Sequence, residues 1–247
     1  MRAIALLVLV VLTGCVTTGG NTVDKSKMAE GYYMKGLSYL QDKNYEMASV
    51  EFNRSIQHDK TYKGSYYGLG IINDYQGKLD EAAKYYQEAI DQDDQYSEAY
   101  NALGVVYSKQ KKYKEAITAY NKALANKLYT TPHIPYSNLG DLYMDQKNYE
   151  KAAEAYRESK RFVINDRTIL MLGTALFESG KIKEAIEIYK LNVDAYPESF
   201  NVYDSIGEAY MKNKQNDLSI ENYKKSLELN PKNDNAVKML EKLGVKL

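Results

Sequence analysis

The sequence predicts an all-α, right-handed solenoid of six helical hairpins closed by a C-terminal capping helix, with a short export leader ahead of it. Two observations predict the solenoid. A glycine recurs at 36, 70, 104, 140, 173 and 207, and the spacings of 34, 34, 36, 33 and 34 are those of stacked hairpins. Twelve residues after each glycine stands a small residue: Ala48, Ala82, Ala116, Ala152, Ala185 and Ser219. Four residues further on stands a ring: Phe52, Tyr86, Tyr120, Tyr156, Tyr189 and Tyr223. A third observation sets the leader apart: Met1-Arg2 followed by an apolar run over residues 3–12 is an export-signal pattern.

The leader, residues 1–14, is too short to cross a bilayer as a helix. It ends in Leu12-Thr13-Gly14-Cys15, which resembles the bacterial lipobox. That resemblance implies cleavage before Cys15 and attachment of diacylglycerol to its thiol, making Cys15 the lipidation site and the mature N-terminus. Each buried acyl methylene contributes about 0.8 kcal/mol, so two or more chains anchor a protein almost permanently. Cys15 is the sole cysteine, so no intrachain disulfide is expected. Residues 15–28 read as the lipidated cysteine and a flexible tether, rich in Thr, Gly, Asn, Ser and Lys. Its reach is at most about 40 Å extended and roughly 20 Å as a coil. In diderm bacteria Asp after the cysteine tends to retain a lipoprotein at the inner membrane. Val16 stands there, which implies the periplasmic face of the outer membrane.

The repeats fall at 29–62, 63–96, 97–130, 133–165, 166–199 and 200–233. Four residues before each glycine is a bulky side chain (Tyr32, Tyr66, Tyr100, Tyr136, Ile169 and Tyr203), and three after it come Tyr39, Asn73, Tyr107, Tyr143, Leu176 and Tyr210. A small residue where two helices cross lets the backbones approach, and a neighbouring ring fills the flanking volume. The pattern resembles the tetratricopeptide repeat, with Tyr in place of the usual Trp. Turns such as Gln76-Gly77-Lys78 and Ser179-Gly180-Lys181 join the helices of a hairpin, and Pro197 and Pro231 mark hairpin ends. In residues 234–247, Ala236, Val237, Leu240 and Leu243 share one helical face, as a capping helix over the last hairpin requires.

With 33 basic and 33 acidic residues, the chain lacks the long-range attraction of a nucleic-acid binder. His58 and His133 lie in different repeats, and no free thiol remains after lipidation. The sequence therefore offers no nucleophile–base pair and no metal-ligand spacing. The glycines never cluster into a phosphate loop. The expectation is a binding protein with no catalytic residue, cofactor, metal or small-molecule substrate.

The first helix of each hairpin lines the concave side of such a solenoid. The residue after the first aromatic, and those four and seven later, share its groove face. In the first two repeats these are Tyr33, Leu37 and Leu40, then Tyr67, Ile71 and Asp74 with Tyr75 adjacent. The third repeat contributes Asn101, Val105 and Ser108. The later repeats are more polar: Ser137, Asp141 and Met144; Leu170, Thr174 and Phe177; Asp204, Glu208 and Met211. The apolar N-terminal half is read as a peptide-binding groove built on Tyr33, Leu37, Leu40, Tyr67, Ile71, Tyr75 and Val105, with Asn101 bonding the ligand backbone. The opposing reading is that these side chains pack within the hairpins or lie under the tether. Tyr33 and Leu37 stand where chaperone-binding repeat proteins carry the Lys and Asn of a carboxylate clamp, which disfavours that mode.

One connection departs from the period. Residues 125–140 read Ala-Asn-Lys-Leu-Tyr-Thr-Thr-Pro-His-Ile-Pro-Tyr-Ser-Asn-Leu-Gly, two residues longer than the standard link. The Leu-Tyr, Pro and Asn-Leu-Gly elements resemble the equivalent stretch of the type IV pilus biogenesis and stability lipoproteins, the pilotins. Those proteins also carry a lipobox and six tetratricopeptide repeats. The resemblance implies a protein partner, the pilus secretin, escorted to the outer membrane and helped to multimerise. The alternatives are an envelope adaptor that gathers murein hydrolases or other periplasmic enzymes, and a fixed structural strut.

Overall fold

Alternation of small and large residues at the repeat period decides how the helices pack. The computed structural model describes residues 20–246. The leader, Cys15 and the first part of the expected tether lie outside them. Six hairpins follow one another: α1 (Gly20–Gln41) with α2 (Tyr45–His58), α3 (Lys63–Tyr75) with α4 (Leu79–Gln92), α5 (Ser97–Lys109) with α6 (Tyr113–Ala125), α7 (His133–Asp145) with α8 (Tyr149–Phe162), α9 (Asp166–Glu178) with α10 (Ile182–Ala195), and α11 (Phe200–Lys212) with α12 (Asn216–Leu229). The helix α13 (Asp234–Lys242) closes the row. No strand occurs among the described residues. Each hairpin packs on the next, the architecture of an all-helical solenoid.

Two ends differ from expectation. α1 begins at Gly20, so residues 20–28, expected in the flexible tether, are helical. After Gly20 this stretch has neither Pro nor Gly, so no helix breaker stops the first helix from extending upstream to Gly20. At the other end α13 stops at Lys242, because Gly244 turns the chain at φ 80°. Ala236 and Leu240 of α13 are buried against Tyr223, with Leu243 packed at the margin.

The glycine and ring positions meet face to face. A Cβ added at Gly36 would lie 2.5 Å from the Phe52 ring, and one at Gly70 the same distance from Tyr86. At Gly104 and Gly140 it would meet Tyr120 and Tyr156 at 2.6 and 2.5 Å. The rings are almost fully buried in consequence. Each such ring contributes roughly 1.5–3 kcal/mol by leaving water. The core is thus a column of clusters along the hairpin crossings, one of which runs without a break from α8 to α11.

Polar ties join the open ends of three hairpins. The Ser159 and Ser226 hydroxyls and the Asn192 amide donate to the backbone oxygens of His133, Phe200 and Asp166, at 2.9, 3.2 and 3.0 Å. Each bond joins the last turn of a second helix to the first residue of its own hairpin partner. At the opposite edge the hairpin turns need a left-handed residue. Gly77 and Gly180 supply it with φ of 74° and 83°, while Lys43, Lys111, Lys147 and Lys214 adopt 58°, 60°, 56° and 60°. A side chain in that region costs about 1 kcal/mol.

Candidate functional site

The first helices α1, α3, α5, α7, α9 and α11 run parallel and form the inner face. In the N-terminal half that face is built from rings packed at a tilt against other rings. Tyr33 lies 5.9 Å from Phe52 and 5.1 Å from Tyr62, centroid to centroid. Tyr67 repeats the arrangement one hairpin later, 5.5 Å from Tyr86 and 5.4 Å from Tyr96. Gly64 makes room for this: a Cβ there would come within 2.9 Å of the Tyr33 ring. A cavity of about 550 Å³ lies elsewhere, between α10 and α12; one beside Tyr33 measures about 390 Å³ and is lined by Tyr33, Asp59, Thr61, Tyr62, Lys63, Gly64 and Tyr96.

Each groove residue read from the sequence has a definite environment. Tyr33, Leu37 and Leu40 are half-buried against the Phe52 cluster. Tyr67 and Ile71 are half-buried against the Tyr86 cluster, and Val105 against Tyr120 and Leu139. Tyr75 stands apart: it is 72% exposed, and its ring stacks on Tyr45 at 5.8 Å. The side-chain oxygen of Asn101 accepts from the Asn138 amide at 2.9 Å, so one end of the group expected to serve a ligand is already engaged. The protein's own side chains therefore fill part of the trough; the cavity beside Tyr33 stays open, and Tyr75 is exposed at the C-terminal end of α3.

Burial raises the hydroxyls of Tyr33 and Tyr62. Tyr67 is pushed up to about 12, chiefly by burial, with the Glu98 carboxylate as a smaller cause. Burial also raises Tyr86 and Tyr96. These phenols are neutral donors at any physiological pH.

The C-terminal half is wired by polar groups. The Tyr156 ring passes beneath Gly140, and its hydroxyl donates to Asp141 on the inner face at 2.6 Å. Arg167 from the next hairpin holds the same carboxylate with two contacts of 2.8 Å. Tyr189 reaches Thr174 at 3.3 Å, and Asn233 donates to both oxygens of Asp204 at 2.9 Å. Burial pushes Tyr189 up to about 12 against the opposing Thr174 hydroxyl, with Glu208 and Glu178 adding to the rise. Among the described residues no group of three or more His, Cys, Asp or Glu could hold a metal ion. His58 stacks on Tyr32 at 5.1 Å, and the backbone oxygen of His133 is taken by Ser159.

Two residues of the aromatic wall escape a reading confined to the helices. Tyr62 and Tyr96 lie in the links between hairpins, each one residue ahead of a first helix. Their separation by the full repeat period is the signal that marks them.

An all-helical row of hairpins with a ring-lined inner face defines a class, the repeat scaffolds that bind other proteins. The chain belongs to the tetratricopeptide repeat family: profiles described as Tetratricopeptide repeat match residues 29–62, 67–128, 134–162, 167–199 and 200–233. An uncharacterized protein of Haemophilus influenzae is 26% identical over 76 residues, which are 31% of this chain and 42% of that protein, less than half its length. Among solved structures, Pseudomonas aeruginosa pilF is similar with a TM-score of 0.73 at 19% identity, over 89% of this chain and 99% of that one. PilW, described as a widely conserved type IV pilus biogenesis factor, gives 0.68 at 16% identity, over 86% and 98%. YrrB, described as a TPR protein with an unusual peptide-binding site, gives 0.66 at 19% identity, over 77% and 97%. At these identities the likeness shows the fold.

Proposed function

We propose that this chain is a lipid-anchored envelope scaffold of the pilotin kind, which binds the type IV pilus secretin and promotes its multimerisation at the outer membrane. The observation that carries the reading is length-matched likeness: pilF and the type IV pilus biogenesis factor PilW are covered over 99% and 98% of their chains by this one. The lipobox ending at Cys15 and the long link over residues 125–140 support the same reading. The secretin segment binds along the ring-lined inner face of the first two hairpins, where Tyr75 and the cavity beside Tyr33 offer open aromatic surface. A buried aromatic contact of this sort anchors a peptide more strongly than a rim of charges does.

Deleting the gene tests the reading directly. Secretin is expected to remain monomeric and pili to be lost; normal secretin multimers overturn the proposal. Co-purification from the native membrane then probes the groove. Tyr75→Asp, at an exposed position, is expected to lose secretin capture at unchanged helicity. Tyr33→Asp and Ile71→Asp lose capture too, but they also disturb the packing on Phe52 and Tyr86 and need circular dichroism beside them.

A further inference from the structure

All six first helices run in one direction, so their N-termini share one edge of the solenoid with the links between hairpins. Most of those links are polar at their tips: Asp59 and Lys60 in the first, Asp93, Asp94 and Gln95 in the second, Glu198 in the fifth. The two central links are different. Leu128 is 86% exposed, and the run Phe162-Val163-Ile164 is exposed throughout, with Ile164 at 63%. Ile134 at the start of α7 is exposed as well.

These side chains lie on the two neighbouring central links of that edge. The Phe162 ring stacks on Tyr136 of α7 at 6.0 Å, and Ser159 ties the end of α8 to His133 at the start of α7. Tyr196 Oη donates to the Ile164 backbone oxygen at 3.1 Å, and the Asn126 amide donates to that of Gln95 at 3.0 Å, so the links on either side hold the two central ones in place. Lys127 precedes Leu128, and Lys160 and Arg161 precede Phe162. Of these three cations, only Arg161 has an acidic partner among the described residues, Glu158 at 3.0 Å. Apolar tips flanked by cations are the composition that enters the headgroup layer of a bilayer containing anionic lipid.

The direction of the first helix is a second observation. α1 is the first of the parallel helices, so its N-terminal end at Gly20 points to this same edge, and Cys15 stands five residues upstream in the sequence. We propose that this edge, centred on Leu128 and Phe162-Val163-Ile164, seats on the surface of a bilayer containing anionic phospholipid. The lipid on Cys15 tethers the protein, and the patch orients it, with the hairpin-turn edge held away from the bilayer. Orientation rests on the membrane attachment assumed above but not on the identity of the partner.

The chain contains no Trp, so a single inserted Trp reports on one place alone. The test uses the full-length lipidated protein reconstituted in phosphatidylethanolamine–phosphatidylglycerol vesicles. Leu128→Trp and Phe162→Trp are expected to emit at shorter wavelength than in detergent-free solution and to be quenched by brominated acyl chains. Lys181→Trp, at an exposed turn on the opposite edge, is expected to show neither effect. Equal quenching at both edges, or none at the patch, overturns the proposal. Since the attachment at Cys15 is left intact, that failure is distinct from loss of anchoring, which vesicle flotation reports. It is also distinct from failure of the secretin reading, which capture reports.

Discussion

The two halves of the inner face use one backbone pattern and opposite chemistry. In the first two hairpins the face consists of Tyr33, Leu37, Tyr67 and Ile71, which hold one another by packing against Phe52, Tyr86 and the link residues Tyr62 and Tyr96. In the last three Asp141, Thr174, Asp204 and Glu208 stand on it beside Leu170, Phe177 and two methionines, and the first three of these polar residues are held by hydrogen bonds to Tyr156, Tyr189 and Asn233. Below both halves lies the same glycine-on-ring contact. The glycine thus fixes the solenoid, while the residue one position along the helix is free to make the face oily or polar.

The largest effects test the shared part. Gly104→Ala and Gly140→Ala force a Cβ into a buried tyrosine ring, so each is expected to cost about 1–3 kcal/mol. Gly31→Ala, where a Cβ meets nothing within 4 Å, is expected to gain about 0.5–1 kcal/mol. Urea denaturation measures all three; a harmless Gly140→Ala would mean that the crossing is looser than its geometry.

The next pair separates the halves. Tyr156→Phe removes the donor to Asp141 and is expected to cost about 1 kcal/mol. Tyr67→Phe is expected to be nearly neutral at pH 7, because among the described residues its hydroxyl makes no hydrogen bond and its ring does the packing. Equal losses would break the distinction between a packed half and a wired half.

In alkali the halves are expected to converge. A phenol whose folded pKa exceeds its unfolded value holds its proton more tightly in the folded chain. The stability it contributes is complete below pH 10 and is lost as pH rises through 12, the value to which burial lifts both Tyr67 and Tyr189 from 10.0. Thermal melts from pH 9 to 12 are expected to show falling Tm, with a shallower fall in Tyr67→Phe. A flat profile would place these hydroxyls in water.

Ion pairs give the smallest effect. Asp74 and Lys109 pair at 2.6 Å across the second and third hairpins, with the lysine 47% exposed. Asp74→Asn is expected to cost at most about 1 kcal/mol, and less at high salt. A loss that survives 1 M salt would point to packing instead of charge.

The fold class was legible because helical period and repeat period act together on each residue type. A glycine at one place and a ring sixteen residues on leave only one crossing in which both are accommodated. The site was legible in part. Counting along a helix places Tyr33, Leu37, Tyr67 and Ile71 on the inner face, but it gives no measure of how far a neighbouring hairpin covers them. Tyr62 and Tyr96 were missed because a link residue has no helical periodicity to announce its direction. Asn101 illustrates the same limit: its partner, Asn138, belongs to the next hairpin.

From the sequence alone came the number of hairpins, the identity of the crossing residues and the switch from an oily to a polar inner face, since each depends on spacing within a single repeat. Tertiary structure alone decided which rings meet, which hydroxyls emerge beneath a glycine, and that Leu128 and Phe162-Val163-Ile164 lie exposed on the edge at which α1 begins. The physical reason is range. Backbone periodicity acts over a few residues, whereas side-chain burial depends on the hairpin next door, a full repeat away along the chain.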